Sequence, residues 1–441
     1  MFKRLLIILL LLCSPISALA GADNKTQLTP KEGAHQFPFF DYLTPVWSYN
    51  GQVPGPTLRA RAGTTLVVDV NNQLKEATSV HWHGLRIDNA MDGVPGVTQE
   101  PIKPGERFTY RLRLEEAGTF WYHPHLNAGE QLERGLKGVL IVEEQEKLPF
   151  SQDVVWLLDD WRLRKDGTIY PYFNTRHDLM HDGRWGNAIT INGKVKPTLT
   201  VTPGERIRLR IINGANARIF AGSLAGLPMQ VIAVDGRPVS TFFPFDHFIL
   251  SPGNRVDLDI TIPDDAGGRI FQFEDRFTRR PHVLGKIKVR DEKPHKTPQF
   301  APPKAKGFIP AEIFEELPVT KTWDLNAVRG GRFGIGWAMN RRLWPTADKA
   351  DFKLGKPVKI RFINSSSRLH PMHIHGAFFR VLEVNGQPDV ELFTRDTVLV
   401  GPRESIVIGL IPEHEGIWVA HCHIQSHADA GMMTSIKVDK K

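Results

Sequence analysis

The stretch "NGQVPGPTLRARAGTTLVVDVNN", Asn50 to Asn72, returns as "NGKVKPTLTVTPGERIRLRIINGA" from Asn192 to Ala215 and, more faintly, as "LGKPVKIRFINSS" from Leu354 to Ser366. Each copy alternates apolar and polar residues rich in Val, Ile and Leu, the period-two pattern of a half-buried strand. A second echo follows each time: "IKPGERFTYRLRL" from Ile102, "LSPGNRVDLDITI" from Leu250 and "VGPRESIVIGLI" from Val400. Repeats of roughly 150 residues are domains rather than solenoid units. The pattern predicts an all-β chain of three consecutive sandwich domains without long amphipathic helices. Residues 21–147 and 148–291 are the first two, and 308–441 the third, after a Pro- and Lys-rich linker at 292–307, "EKPHKTPQFAPPKAKG".

The first twenty residues, "MFKRLLIILLLLCSPISALA", have Lys3 and Arg4, an apolar run from Leu5 to Leu12 and a small-residue cleavage site ending at Ala20. This is the pattern of a secretory signal peptide, too short for a membrane span. It predicts export to the periplasm or beyond, with no stable membrane insertion after cleavage. Cys13 would leave with the signal, so Cys422 would be the only thiol and no internal disulfide could form. A lone thiol in an oxidising compartment needs burial or a bonded partner, and a metal would serve. The net charge of +8, or +6 once Lys3 and Arg4 are gone, is spread without a basic block. That distribution favours solubility and no nucleic-acid partner.

The histidines point to chemistry. With 17 in 441 residues, random placement gives roughly 0.65 His-x-His pairs, yet the chain has four. They are His81 and His83, His123 and His125, His373 and His375, and His421 and His423, two pairs in the first domain and two in the third. On a strand, residues i and i+2 share a face, so each pair presents two imidazoles together. Eight imidazoles exceed the four ligands of a single zinc site. A multinuclear cluster where the first and third domains meet is the simplest use. Cys422 lies between His421 and His423 and so points to the opposite face of its strand. Its available partners are His370, His427 and Met432, which complete the ligand set of a blue-copper centre with a weak axial Met. At about 3.3 Å per residue, the two sites lie on the order of 10 Å apart.

The motifs "HWHG", "GTFWYHPH", "HPMHIHG" and "HCHIQSHADAGM", in this order, resemble those of the multicopper oxidases, in particular the laccase-like, three-domain bacterial type. The resemblance implies three cupredoxin-like Greek-key β-sandwiches and four copper ions. It assigns His370, Cys422 and His427 to the type 1 copper with Met432 axial, and His81 and His373 to the type 2 copper. His83, His123 and His423 would hold one type 3 ion, and His125, His375 and His421 the other. Electrons would enter one at a time near the edge of His427, pass through Cys422, and reduce dioxygen to water at the cluster. Asp92, in "NAMDGVPG", matches the family's acidic proton source, although Asp-Gly is also a common turn. Many bacterial relatives carry Glu where this chain has Ala428, followed by Asp429.

The partners implied are dioxygen and a small reducing substrate, phenolic or otherwise organic, with the chain acting as a monomer. A metal-ion donor, Cu(I), Fe(II) or Mn(II), is the alternative, but eight Met without a Met-rich run speak against capture of soft Cu(I). A non-enzymatic cell-envelope relative would have lost ligands, and none is missing. The other seven histidines are expected to be solvated or structural. The middle domain is expected to act as a spacer that holds the other two together and can shape the substrate mouth, and "RHDLMHDGRW", Arg176 to Trp185, is read as a surface loop, with a wall of that mouth as the alternative.

Overall fold

The two echoes become neighbouring strands in all three domains. Thr65–Asn71 pairs antiparallel with Arg107–Arg113, Arg206–Asn213 with Arg255–Thr261, and Val358–Asn364 with Ser405–Leu410. A buried Asn at or just past the end of the first strand ties the echoes together. The Nδ2 of Asn72 donates to Ile102 O and Glu76 O, that of Asn213 to Leu250 O and Arg218 O, and that of Asn364 to Val400 O and Arg368 O. Each Oδ1 accepts the backbone N–H two residues on, at Leu74, Ala215 and Ser366. The accepting carbonyls Ile102, Leu250 and Val400 are the first residues of the second echoes, so the repeat in the sequence is a repeated hydrogen-bond knot. Each bond contributes about 1 kcal/mol net, and a buried amide left unpaired would cost more.

The computed structural model describes residues 24–38, 41–246, 248–298, 300–305, 309–389, 391 and 393–440. The expected signal peptide, 1–20, lies outside them. In the third domain a six-stranded sheet runs in the order Ile335–Met339, Val319–Arg329, Val358–Asn364, Ser405–Leu410, Phe379–Val384, Gln387–Pro388. It faces a five-stranded sheet ordered Ala350–Lys353, Met433–Asp439, Gly416–Cys422, His370–Ile374, Thr397–Val400. The second domain repeats this six-plus-five arrangement strand for strand, and the first spreads its strands over sheets of three, two and four. Each domain has its own apolar core, centred on residues such as Val68 and Leu140, Leu209 and Phe273, and Ile360 and Trp418. The strand Val358–Asn364 alternates buried and half-buried side chains, as its sequence predicts. Its counterpart Arg206–Asn213 is buried on both faces after Arg206, because neighbouring domains cover the middle one.

Three short α-helices among the described residues interrupt the strands: α1 at Ala128–Glu133, α2 at Arg176–Met180 and α3 at Gln425–Asp429. Among the described residues no helix is long and apolar enough to cross a membrane. The α2 segment is not the free loop expected. Thr175 and Asp178 form a reciprocal capping box at its start, and Leu179 is fully buried in the core of the third domain.

Candidate metal centres

The four histidine pairs sit at strand ends that converge between the first and third domains. Both members of the first pair lie on the strand His81–His83. In the other three pairs the first histidine lies on a strand and the second falls just beyond its end, at His125, His375 and His423. The two-residue strand argument therefore holds fully only for the first pair, but the backbone leaving each strand keeps the second ring on the same cavity. His81 sits opposite His123, and His373 opposite His421, in equivalent registers of the two domains. The rings interlock: His83 stacks on His373 with centroids 3.8 Å apart, and His81 on His375 at the same distance. Seven of the eight are buried and His125 is half-buried.

Their hydrogen bonds orient the rings toward a metal. Nδ1 donates to a backbone carbonyl in His81 (Asp92 O, 2.7 Å), His123 (Pro124 O, 2.9 Å), His373 (Asp396 O, 2.8 Å) and His421 (Cys422 O, 2.9 Å). In His375 Nδ1 faces the Asp92 carboxylate at 2.8 Å. With the proton on Nδ1, Nε2 carries a lone pair. The Nε2 atoms of His81, His123, His373 and His423 have no hydrogen-bond partner, and for His83 the unpartnered atom is Nδ1, since its Nε2 faces Asp396 Oδ1 at 3.2 Å. The Nε2 atoms of His375 and His421 lie 3.0 Å apart, two lone pairs aimed at each other. A buried unmade hydrogen bond costs about 1–3 kcal/mol, so several in one cavity need cations between them. His125, His375 and His421 bring ligand atoms within 4.8 Å of one another, and so do His81, His83 and His123. His83, His123 and His423 surround a further space, with ring centroids 4.9–5.9 Å apart. Burial lowers the pKa of His83, His123, His125, His375 and His423, and that of His421 to about 3, so these rings are neutral at neutral pH, the form that can bind a metal.

On the far face of the same strand, Cys422 Sγ lies 3.7 Å from His370 Nδ1 and 3.8 Å from His427 Nδ1, and the two nitrogens are 3.2 Å apart. The thiol and both rings are fully buried, as is Met432, whose carbonyl accepts from Cys422 N and whose N–H donates to His427 O. The Nε2 of His370 meets Ser366 Oγ and that of His427 donates to His181 O, each at 3.0 Å, which leaves both Nδ1 atoms facing the sulfur. Burial pushes the Cys422 thiol up and takes His427 down to about 3. A thiolate here is stable only with a cation beside it, and the soft S, N, N and thioether set suits copper.

The carboxylates were only partly foreseen. Asp92 does reach the cluster, buried, with Oδ2 on His375 and Oδ1 3.3 Å from His81 Nδ1. Asp396 occupies the matching place in the third domain. Its carbonyl holds His373 as that of Asp92 holds His81, and its Oδ1 faces His83. Nothing in "FTRDTV" marks it, because the two aspartates lie at unequal spacings, 11 and 23 residues, from the histidines they hold.

Arg255, fully buried in the middle domain, donates to Asp396 at 2.8 Å, and Asp235 accepts from the Arg255 backbone N–H. Burial raises the Asp396 carboxyl, but Arg255 and His373 outweigh it and hold it at about 2. Gly253, at φ +94°, approaches so closely that a Cβ would lie 2.9 Å from the His83 ring. The middle domain is thus more than a spacer and clamps the cluster directly. Asp429 accepts from Gly129 N (3.1 Å) and Asn174 Nδ2 (2.9 Å), and no cluster histidine is among its partners. Burial raises its pKa.

The end of α2 and the residue after it close over the centre: the His181 carbonyl covers His427 Nε2, and Leu179 O accepts from Trp337 Nε1 at 2.9 Å. The surface-loop reading is therefore overturned in favour of the alternative: the segment is a wall of the Cys422 centre, and which of the two held was decided by a contact between residues 246 apart.

Family models described as multicopper oxidase match residues 34–147, 152–273 and 318–441. The chain is 30% identical to the multicopper oxidase MmcO of Mycobacterium tuberculosis over 426 residues, 88% of this chain and 82% of that protein. Its fold is similar to a solved laccase from Pediococcus acidilactici, with a TM-score of 0.82, 26% identity, and coverage of 96% of this chain and 91% of the other. A solved multicopper oxidase from Campylobacter jejuni, described as a metallo-oxidase, is also 26% identical, with a TM-score of 0.77 and coverage of 95% and 91%. Equal identity to both leaves the donor to be read from this chain's own residues.

Proposed function

We propose a laccase-like reaction for this chain, which belongs to the multicopper oxidase family: one-electron oxidation of an organic, phenol-type donor at the Cys422 centre, coupled to four-electron reduction of dioxygen to water at the histidine cluster. The observation that supports it most is the set of buried, unpartnered imidazole nitrogens gathered at the domain contact, where His421 Nε2 faces those of His375 and His125, beside a complete Cys-His-His-Met set. Copper, which the family binds, supplies the one-electron redox chemistry when present. Four ions fit the donor set, one at Cys422, His370, His427 and Met432 and three among the eight histidines.

The protein's own groups do the rest. Cys422 joins the two centres through its backbone bonds to His421 and His423, a covalent path for electrons. Asp92 fixes the tautomer of His375 and is the acidic group placed to deliver protons to the cluster. Asp396, held ionised by Arg255, orients His83 and supplies negative charge that favours bound cations. An organic donor is supported by the absence of a Met-rich run in the sequence. The first twenty residues support export, so the mature chain would begin at Gly21, and its mass would show this.

The deciding experiment is oxygen consumption by the copper-loaded protein with phenols, Cu(I), Fe(II) and Mn(II) offered separately. Turnover of phenols with four electrons taken per dioxygen is expected. Turnover confined to one metal ion would replace the organic donor with that ion.

A further inference from the structure

We propose that the cleft beside the Cys422 centre is an anion-selecting docking site and that the donor it takes is a phenol carrying a carboxylate or sulfonate. The inference rests on the laccase-like reading and adds the donor's charge and its point of entry. The cleft encloses about 980 Å³ between α2, the hairpin strands Val319–Arg329 and Ile335–Met339, and the serine-rich turn at 365–368. That volume suits a small aromatic molecule.

The cleft reaches the metal centre where His427 does not. His427 is fully buried, with its Nε2 on the His181 carbonyl, so the edge expected to receive electrons is covered. His370 Nε2 instead meets Ser366 Oγ at 3.0 Å, and Ser366 lines the cleft. Trp337 also lines it, and its ring packs on both imidazoles, 4.8 Å from His370 and 4.4 Å from His427 between centroids. An aromatic ring seated against Trp337 and Ser366 is one residue away from the type 1 ligands.

The charge of the lining sets the class of donor. Arg176, Arg329, Arg341 and Arg368 line the cleft against a single carboxylate, Asp324, whose Oδ2 already accepts from Asn326. Arg329 and Arg341 are exposed and have no ion-pair partner among the described residues. Arg176 rests its Nε on Met180 Sδ at 3.4 Å, and Arg368 is 3.9 Å from Asp182. Free guanidinium groups lining the cleft match carboxylate or sulfonate oxygens in two-point hydrogen bonds. They repel Fe(II), Mn(II) and Cu(I). Each donor molecule loses one electron to the Cys422 centre and its phenolic proton to solvent, leaving a phenoxyl radical. Four such events match one dioxygen reduced, with four protons, to two waters.

The test compares two phenols that share a ring, 4-hydroxy-3,5-dimethoxybenzoate and 2,6-dimethoxyphenol, on the copper-loaded wild type and on Arg329→Gln/Arg341→Gln. Retained blue absorption confirms that the variant keeps the centre. The expected result is a rise of about tenfold in the ratio of KM for the acid to KM for the neutral phenol, carried by KM and not kcat, equivalent to about 1.4 kcal/mol. Added salt should raise the wild-type KM for the acid by screening. An unchanged ratio, or parallel shifts for both phenols, overturns the proposal. Oxidation of neither phenol by the wild type, with turnover of a metal ion, overturns instead the reading on which it rests.

Discussion

The Cys422 centre and the histidine cluster share one strand but are built in opposite ways. Cys422, His370, His427 and Met432 all belong to the third domain, and three of them, Cys422, His427 and Met432, fall between the end of the strand Gly416–Cys422 and the start of Met433–Asp439. The cluster belongs to no single domain. It takes four histidines from each of two domains, and its braces cross every boundary: Asp92 of the first to His375 of the third, Asp396 of the third to His83 of the first, and Arg255 of the second to Asp396. One centre draws its ligands from a single domain, with only the His181 carbonyl of the middle domain capping His427, whereas the other needs three domains docked. Substitutions should therefore separate them.

The largest effect is expected from Cys422→Ser. It removes the thiolate from the single-domain centre and leaves every cluster nitrogen in place. Blue absorption should vanish and turnover should fall by more than the about 10–100-fold typical of outer-shell changes, while copper analysis still finds the cluster ions. Loss of all copper together would mean that the centres are not separable.

Next comes Asp92→Asn, which keeps an oxygen to accept from His375 but has no proton to give. Reoxidation of the reduced enzyme by dioxygen should slow by about 10²–10⁴-fold, with anaerobic reduction of the Cys422 centre unaltered, both followed by rapid mixing. Equal slowing of the two phases would reduce Asp92 to an orienting residue.

Arg255→Met tests the clamp from the middle domain. It leaves Asp396 and Asp235 buried without their cation, at a cost of about 3–5 kcal/mol, so cluster copper should be lost more readily than blue absorption. The change should also alter acid tolerance. Asp396 is held at about 2, below the ordinary value of about 3.9. Its contribution to stability is therefore complete above the ordinary value and lost as the pH falls through about 2. Without Arg255 burial dominates, the carboxyl rises, and the variant should unfold at higher pH than the wild type in an acid titration. Coincident acid transitions would show that Arg255 does not hold Asp396 down.

The smallest effect is expected from Asn213→Ala, which unties the knot in the domain without a metal centre. Destabilisation of about 1–3 kcal/mol should appear as a lower urea midpoint, with both copper signals retained at low urea. Loss of cluster copper in this variant would extend the docking dependence into the core of the middle domain.

Much of this was legible before folding. The echoes that contain Asn72, Asn213 and Asn364 identified three like domains because strand periodicity is a local property. The residues proposed as ligands were legible for the same reason. His-x-His puts two rings on one cavity wherever a strand or its immediate end carries them, and a Cys between two His must face away from both. Asp92 was found only by likeness to a family, since Asp before Gly is a turn signal in its own right.

What the sequence by itself determined is the fold class, the donor atoms and their division between two faces of one strand, all set by residue type and spacing over a few residues. Only the tertiary structure decided which groups brace and border those atoms. Asp396 and Arg255 meet across 141 residues, and the His181 carbonyl caps His427 across 246. A backbone carbonyl or a buried arginine has no spacing rule, because its partner is chosen by how whole domains pack and by the cost of leaving a buried polar group unpaired.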